Sequence, residues 1–236
     1  MQVVSGQAMT IVANVGRKDD MNIKPILFNT EMVRAILDGR KTVTRRVIKL
    51  KYSNTHIEWK NDKYGKRLIE LQNDVEGETY GRNPDGRTWR KLLAYRELKA
   101  PFTKGDILYV RETWTELETV DGCPFYAYKA DDGRSDAVSL HETFEKWRPS
   151  IHMPKEAARI WLKVTDVSVE RLQDIDTEGI LREGIEFNPV NEKIIHDDFH
   201  RLWDSTIKKE SLSTYGWDAN PWLWVIEFER CEKPED

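Results

Sequence analysis

The chain has 236 residues, 39% of them hydrophobic and 33% charged, with a formal net charge of -4, so it can build one core, in one domain or one domain with an insertion. No apolar run approaches the roughly 20 residues of a membrane helix, and the two cysteines, Cys123 and Cys231, exclude a disulfide framework and a thiolate zinc site and fit a reducing cytoplasm. The acidic total argues against indiscriminate nucleic-acid binding, yet residues 22–51 hold eight Lys/Arg against Glu31 and Asp38, a basic island suited to a focused anion site.

Residues 1–20 lack a charged region followed by a continuous apolar stretch, so they make a poor signal peptide; they read as a flexible tail or an upstream start, with the main domain over 21–232. "KPILFN" (24–29) reads as a strand. "TEMVRAILDGRK" places Met32, Val33, Ile36 and Leu37 at helical spacing, with Asn29 or Thr30 as N-cap and Gly39 as the stop. "TVTRRVIKL" alternates and is β-branched, predicting the next strand. Residues 51–100 are polar, with turn signals at "NDKYG", "VEGETYG" and "NPDG", and read as hairpins inserted into the main fold. Further strands are expected at "GDILYVRETW" (105–114), at "CPFYAYKA" (123–130, ending at the turn "DDGR") and at "RIWLKVTDVSVERL" (159–172). "DTEGILREGI" predicts a helix, and "NEKIIHDDFHRLWDSTIKK" an amphipathic one carrying Ile195, Phe199, Leu202 and Thr206 on its apolar stripe. "NPWLWVIEFER" (220–230) closes as a strand, with Pro221 tolerated at its first position. Strands on both sides of a few helices predict an α+β fold, most simply a small β-barrel with packed helices and an inserted hairpin-rich segment.

"GRKTVTRR" (39–46) is either a solvated strand or an anion or nucleotide pocket in which Arg45 and Arg46 add a phosphate fork. Thr44 and Arg46 share a strand face while Lys41 precedes the strand, so Lys41 and Thr44 converge only if the turn folds back. His196 and His200 stand at i, i+4, a chelating spacing, but no cysteine or nearby third histidine accompanies them, and no metal is expected. Most of the nine tryptophans belong to the core; Trp114 and Trp222, at strand ends, are placed to stack on a base. A phosphate loop, a GxSxG elbow, HExxH and CxxC are all missing, which removes the common nucleotidase, hydrolase and zinc-peptidase readings.

"KPILFNTEMVRAILDGRKTVTRR", "GDILYVRETW" and the closing "WVIEFE" together resemble the ASCH family, a branch of the PUA-like barrels. The likeness covers about residues 23–50 and 101–230 and leaves the 51–100 insertion outside; the longer family members that the chain resembles are common in phages. The resemblance implies a β-barrel with a cleft that binds RNA or a modified nucleoside in the (host) cytoplasm, without a cofactor. Arg40, Arg45, Arg46, Arg111, Trp114 and Trp222 are then the expected contacts. One branch of the family hydrolyses the acetyl amide of N4-acetylcytidine through a lysine, a threonine and a glutamate, which match Lys41, Thr44 and Glu183. In that amidohydrolase reading Lys41 is the base for Thr44, or Glu183 is the base for water and Lys41 stabilises the oxyanion. A third reading makes the 51–100 insertion a protein-interaction surface.

Overall fold

Asn29 and Gly39 delimit the first helix as their side-chain chemistry demands. The Asn29 side chain accepts from Met32 N at 2.8 Å, and Gly39 takes the positive φ of 75° that ends the helix. The computed structural model describes residues 9–10, 22–51, 55–62, 65–72, 80–82, 88–90, 95–119, 121–131, 146–186 and 192–235. In chain order the elements are β1 Met9–Thr10, β2 Ile23–Leu27, α1 Thr30–Leu37, β3 Val43–Val47, β4 Thr55–Asp62, β5 Gly65–Gln72, β6 Tyr80–Arg82, β7 Thr88–Arg90 and β8 Tyr95–Leu98. They continue with β9 Ile107–Arg111, β10 Trp114–Glu118, β11 Pro124–Tyr128, β12 Trp161–Arg171, α2 Thr177–Arg182, α3 Glu192–Thr206, α4 Leu212–Tyr215 and β13 Trp222–Cys231. Strands dominate and helices are few, as an α+β fold requires.

The chain divides into two units, Arg17–Val47 with Phe102–Asp236 (joined by Met1–Ile11), and Ile48–Pro101 with Val12–Gly16. In the larger unit the main sheet runs β2-β9-β12-β13-β3, with β1 also paired to β12. Among the described residues only β2 and β9 pair in parallel, Leu27 standing beside Arg111. Among the described residues no ladder joins the edge strands β2 and β3, so the sheet is not a closed barrel. The edges nevertheless approach, because Arg46 of β3 donates to the Leu27 carbonyl of β2 at 2.9 Å. Met9 and Thr10, within the segment expected as a tail, pair with Val169 and Ser168.

A β-bulge between Val164 and Asp166 shifts the β12–β13 register, so alternation holds on either side of it with changed phase. On one face of the sheet, Leu172, Ile175, Ile180, Ile195, Phe199, Trp203 and Leu223 form a core beneath α2 and α3. The buried stripe of α3 is therefore Ile195–Phe199–Trp203; Leu202 is half-buried and Thr206 exposed. Spacing alone had favoured those two, but the i, i+4, i+8 row faces the sheet. No described helix is long and apolar enough to cross a membrane.

In the smaller unit β4 and β5 form a hairpin with Asp62 opposite Gly65, and β8 pairs with β5. Gly65 has φ 97°, which explains the turn read from "NDKYG". Glu70 is fully buried there but compensated: Lys51 N donates to it at 2.7 Å, and Arg96 at 3.0 Å through Nε. The turn signals at 75–79, 83–86 and 132–134 lie outside the described residues.

Candidate active site

Two helix ends meet at Lys41. After α1 the chain folds back at once: the amides of Arg40 and Lys41 both donate to the Ala35 carbonyl, at 2.9 and 3.0 Å. α2 is capped at its start by Asp176, whose side chain accepts from Gly179 N at 2.7 Å, and at its end by Glu183. A short antiparallel bridge then pairs Lys41 with Glu183, and Thr42 N donates to the Arg182 carbonyl at 2.9 Å. Gly184, with φ 95°, lets the chain leave; a Cβ there would lie 2.6 Å from Ala35 Cβ and 3.1 Å from Lys41 Cβ. Arg40 fastens the same corner by donating to the Gly184 carbonyl at 2.5 Å.

These ties bring together two of the three expected catalytic side chains, 142 residues apart in sequence. Lys41 Nζ donates to Glu183 Oε2 at 2.5 Å and to the Glu183 carbonyl at 2.9 Å, and lies 5.6 Å from the centre of the Phe28 ring. The Lys41 side chain is 0% exposed and that of Glu183 8%. Burial pulls the Lys41 pKa below its ordinary value; Glu183 opposes this, and Arg46 and Arg45 reinforce it. The last carbonyl of α2 adds a favourable partner for the cation, as helix C-termini do.

Thr44, the third expected residue, lies on β3 opposite Ile226 and shares its face with Arg46, opposite Trp224. It is buried, and among the described residues its hydroxyl makes no hydrogen bond, so none ties it to Lys41 or Glu183. Arg46 lies over Phe28, 5.6 Å from the ring centre. Beyond the Leu27 carbonyl its guanidinium makes no other hydrogen bond among the described residues; burial lowers its pKa from the ordinary value, and the nearby Glu183 charge opposes this.

Arg45 points the other way. Its side chain is 5% exposed, with Nε donating to Glu170 at 2.5 Å and Nη1 to Gly179 O and Glu183 Oε1, both at 3.2 Å. It therefore presents no fork to solvent. Glu170 was not singled out in the sequence; a strand glutamate in "VSVERL" carries no local signal for the buried arginine it meets. Burial raises its pKa above the ordinary carboxylate value, Arg45 opposing.

The remaining expected contacts have other duties. Arg111 donates to the carbonyls of Met153 (2.7 Å) and Ile151 (2.5 Å). Trp114 is 4% exposed with Arg148 over its ring at 5.1 Å, and Trp222 carries Arg171 at 4.3 Å. His200 faces Asp204 at 3.2 Å and stacks on Trp217; His196 faces Thr177 at 3.4 Å.

A second polar network surrounds Arg159, which grips Glu112 through Nε and Nη2 at 2.9 and 3.1 Å and Asp131 at 2.6 Å. Its guanidinium covers the Tyr128 ring at 3.9 Å. Burial first, against the pull of Arg159, pushes the Tyr128 hydroxyl up to about 12 from an ordinary 10. Its contribution to stability is then complete below pH 10 and lost as pH rises through about 12. The difference in urea-unfolding stability between wild type and Tyr128→Phe is expected to stay constant up to pH 10 and to fall between pH 10 and 12.

Comparison of the chain with protein-family models, with curated proteins and with solved structures gives no match. The fold and site together define an α+β protein in which a helix-end lysine is paired, out of solvent, with a glutamate from a second helix end.

Proposed function

We propose that this chain is an ASCH-type, PUA-like domain whose Lys41–Glu183 centre hydrolyses the acyl amide of an N4-acylated cytidine. The observation that carries this reading is the 2.5 Å meeting of Lys41 and Glu183 across 142 residues, since both residue types were expected to act together. Lys41 Nζ donates to the Glu183 carboxylate, an arrangement that favours Lys41 as oxyanion stabiliser and Glu183 as base. Water attacks the acyl carbon while its proton passes to Glu183, and the negative oxygen is held by Lys41. As the carbon–nitrogen bond breaks, Glu183 returns the proton to the departing N4 amine and the carboxylic acid is released. Arg46, with donors to spare beside Phe28, suits a contact to the nucleoside, and the uncommitted Thr44 hydroxyl on the same strand face suits the acyl group or its nucleophile.

Incubation with N4-acetylcytidine tests the reading. Lys41→Ala, Glu183→Gln and Thr44→Val are each expected to lower kcat at least about 100-fold, the scale of losing one positioned hydrogen-bonding group. Wild-type turnover that survives all three substitutions would remove the site from the chemistry. Binding without turnover is the second reading, favoured by the complete enclosure of the Lys41 side chain. It predicts calorimetric binding of N4-acetylcytidine that is weakened by Arg46→Ala, with no cytidine released.

A further inference from the structure

The Glu183 carboxylate is held from two sides. Lys41 takes Oε2 and Arg45 takes Oε1, so both oxygens have a fixed cationic donor and the carboxylate plane cannot rotate without losing one. Arg45 is itself fixed. Its Nη1 also donates to the Gly179 carbonyl, and Nη2 lies 2.8 Å from where a Gly179 Cβ would stand, so glycine at 179 makes room for the guanidinium. On its far side Glu170, 13% exposed, accepts from Arg45 Nε. Charges thus alternate along Lys41, Glu183, Arg45 and Glu170, and each interior member is shared between two neighbours. The β3 register explains the direction: Arg45 pairs with Val225, and Thr44 with Ile226 on the opposite face.

We propose that Arg45 and Glu170 form a positioning clamp that orients Glu183 toward Lys41 and sets how strongly the two are paired. Arg45 is then a positioning residue and no ligand contact; the proposal rests on Lys41 and Glu183 being the working pair. The coupling has a definite sign. With Glu170 neutralised, Arg45 turns its whole charge to Glu183 and loosens the hold of Glu183 on the Lys41 proton. With Arg45 neutralised, Glu183 is shared only between Lys41 and the more distant charge of Arg46, and the hold tightens.

The test follows the Lys41 amine by NMR in the full-length chain carrying isotope-labelled lysine, assigned by its loss in Lys41→Met. Glu170→Gln is expected to shift the Lys41 titration to lower pH and Arg45→Gln to higher pH. Both displacements should shrink markedly in a Glu183→Gln background, leaving only the direct effect of nearby charge such as that of Arg45 on Lys41, which isolates the part transmitted through Glu183. Shifts absent, of the same sign, or undiminished without Glu183 would overturn the clamp. If Arg45→Gln fails to fold, the Glu170→Gln shift and its dependence on Glu183 decide alone. In parallel, both variants should lower kcat on N4-acetylcytidine by about tenfold to 100-fold, as loss of orientation does, with KM changed less than about threefold. Opposite Lys41 shifts in a protein that does not turn over N4-acetylcytidine would sink the hydrolysis reading and leave the clamp standing.

Discussion

Glu183→Ala is expected to destabilise the protein by about 3–5 kcal/mol in urea unfolding at pH 7, the usual result of stranding one half of a buried ion pair. Lys41 would be left fully enclosed with a lone backbone carbonyl as acceptor. Lys41→Met should cost less, because Glu183 keeps Arg45 at 3.2 Å and a methionine fills much of the vacated volume. The double variant should lose less than the two singles combined, by about 1–3 kcal/mol, since residues in one ion-pair network are coupled. Simple additivity would mean that the two side chains do not share an interaction in solution.

The second large effect is at Gly184. Gly184→Ala must place a side chain at φ 95°, and its Cβ within 2.6 Å of Ala35 Cβ. The backbone strain is about 1–3 kcal/mol and the overpacking about 1–3 kcal/mol more. Gly39 supplies the control, because it too has positive φ, 75°, but nothing within 4 Å of an added Cβ. Gly39→Ala should therefore show the backbone part alone, and the excess at Gly184 measures how closely the two helix ends are pressed together. That excess should be accompanied by weaker turnover, because the same contact aligns Lys41 with Glu183. Equal losses at Gly39 and Gly184 would show that the helix ends yield freely.

Local chemistry was legible where one residue decides the backbone. Asn29 capping α1, Gly39 ending it, Gly65 at the hairpin turn and the β-branched run of β3 each follow from short-range rules. The destination of Arg45 was not. Val43, Arg45 and Val47 form one period-2 face of β3, which marks Arg45 as a residue turned inward between two valines, but nothing local identifies the partner. Glu170 sits beyond the Val164/Asp166 bulge, and one extra residue there reverses which side chains face the helices. The meeting of Lys41 and Glu183 is non-local in the same way: the helix stop at Gly39 placed Lys41 just past a helix end, while only the family resemblance singled out Glu183 and suggested that the two belong together. Trp114 and Trp222 illustrate the reverse limit. Position at a strand end marked them as stacking surfaces, whereas the arginines that cover them, Arg148 and Arg171, come from elsewhere in the fold.

The central claim is that the Lys41–Glu183 pair cleaves an acyl amide, and hydrolysis of N4-acetylcytidine in oxygen-18 water tests it most directly. The wild type is expected to release cytidine together with acetate carrying one solvent oxygen, and Lys41→Met to release neither above the protein-free rate. Equal release by wild type and Lys41→Met, or no release by the wild type, would contradict it.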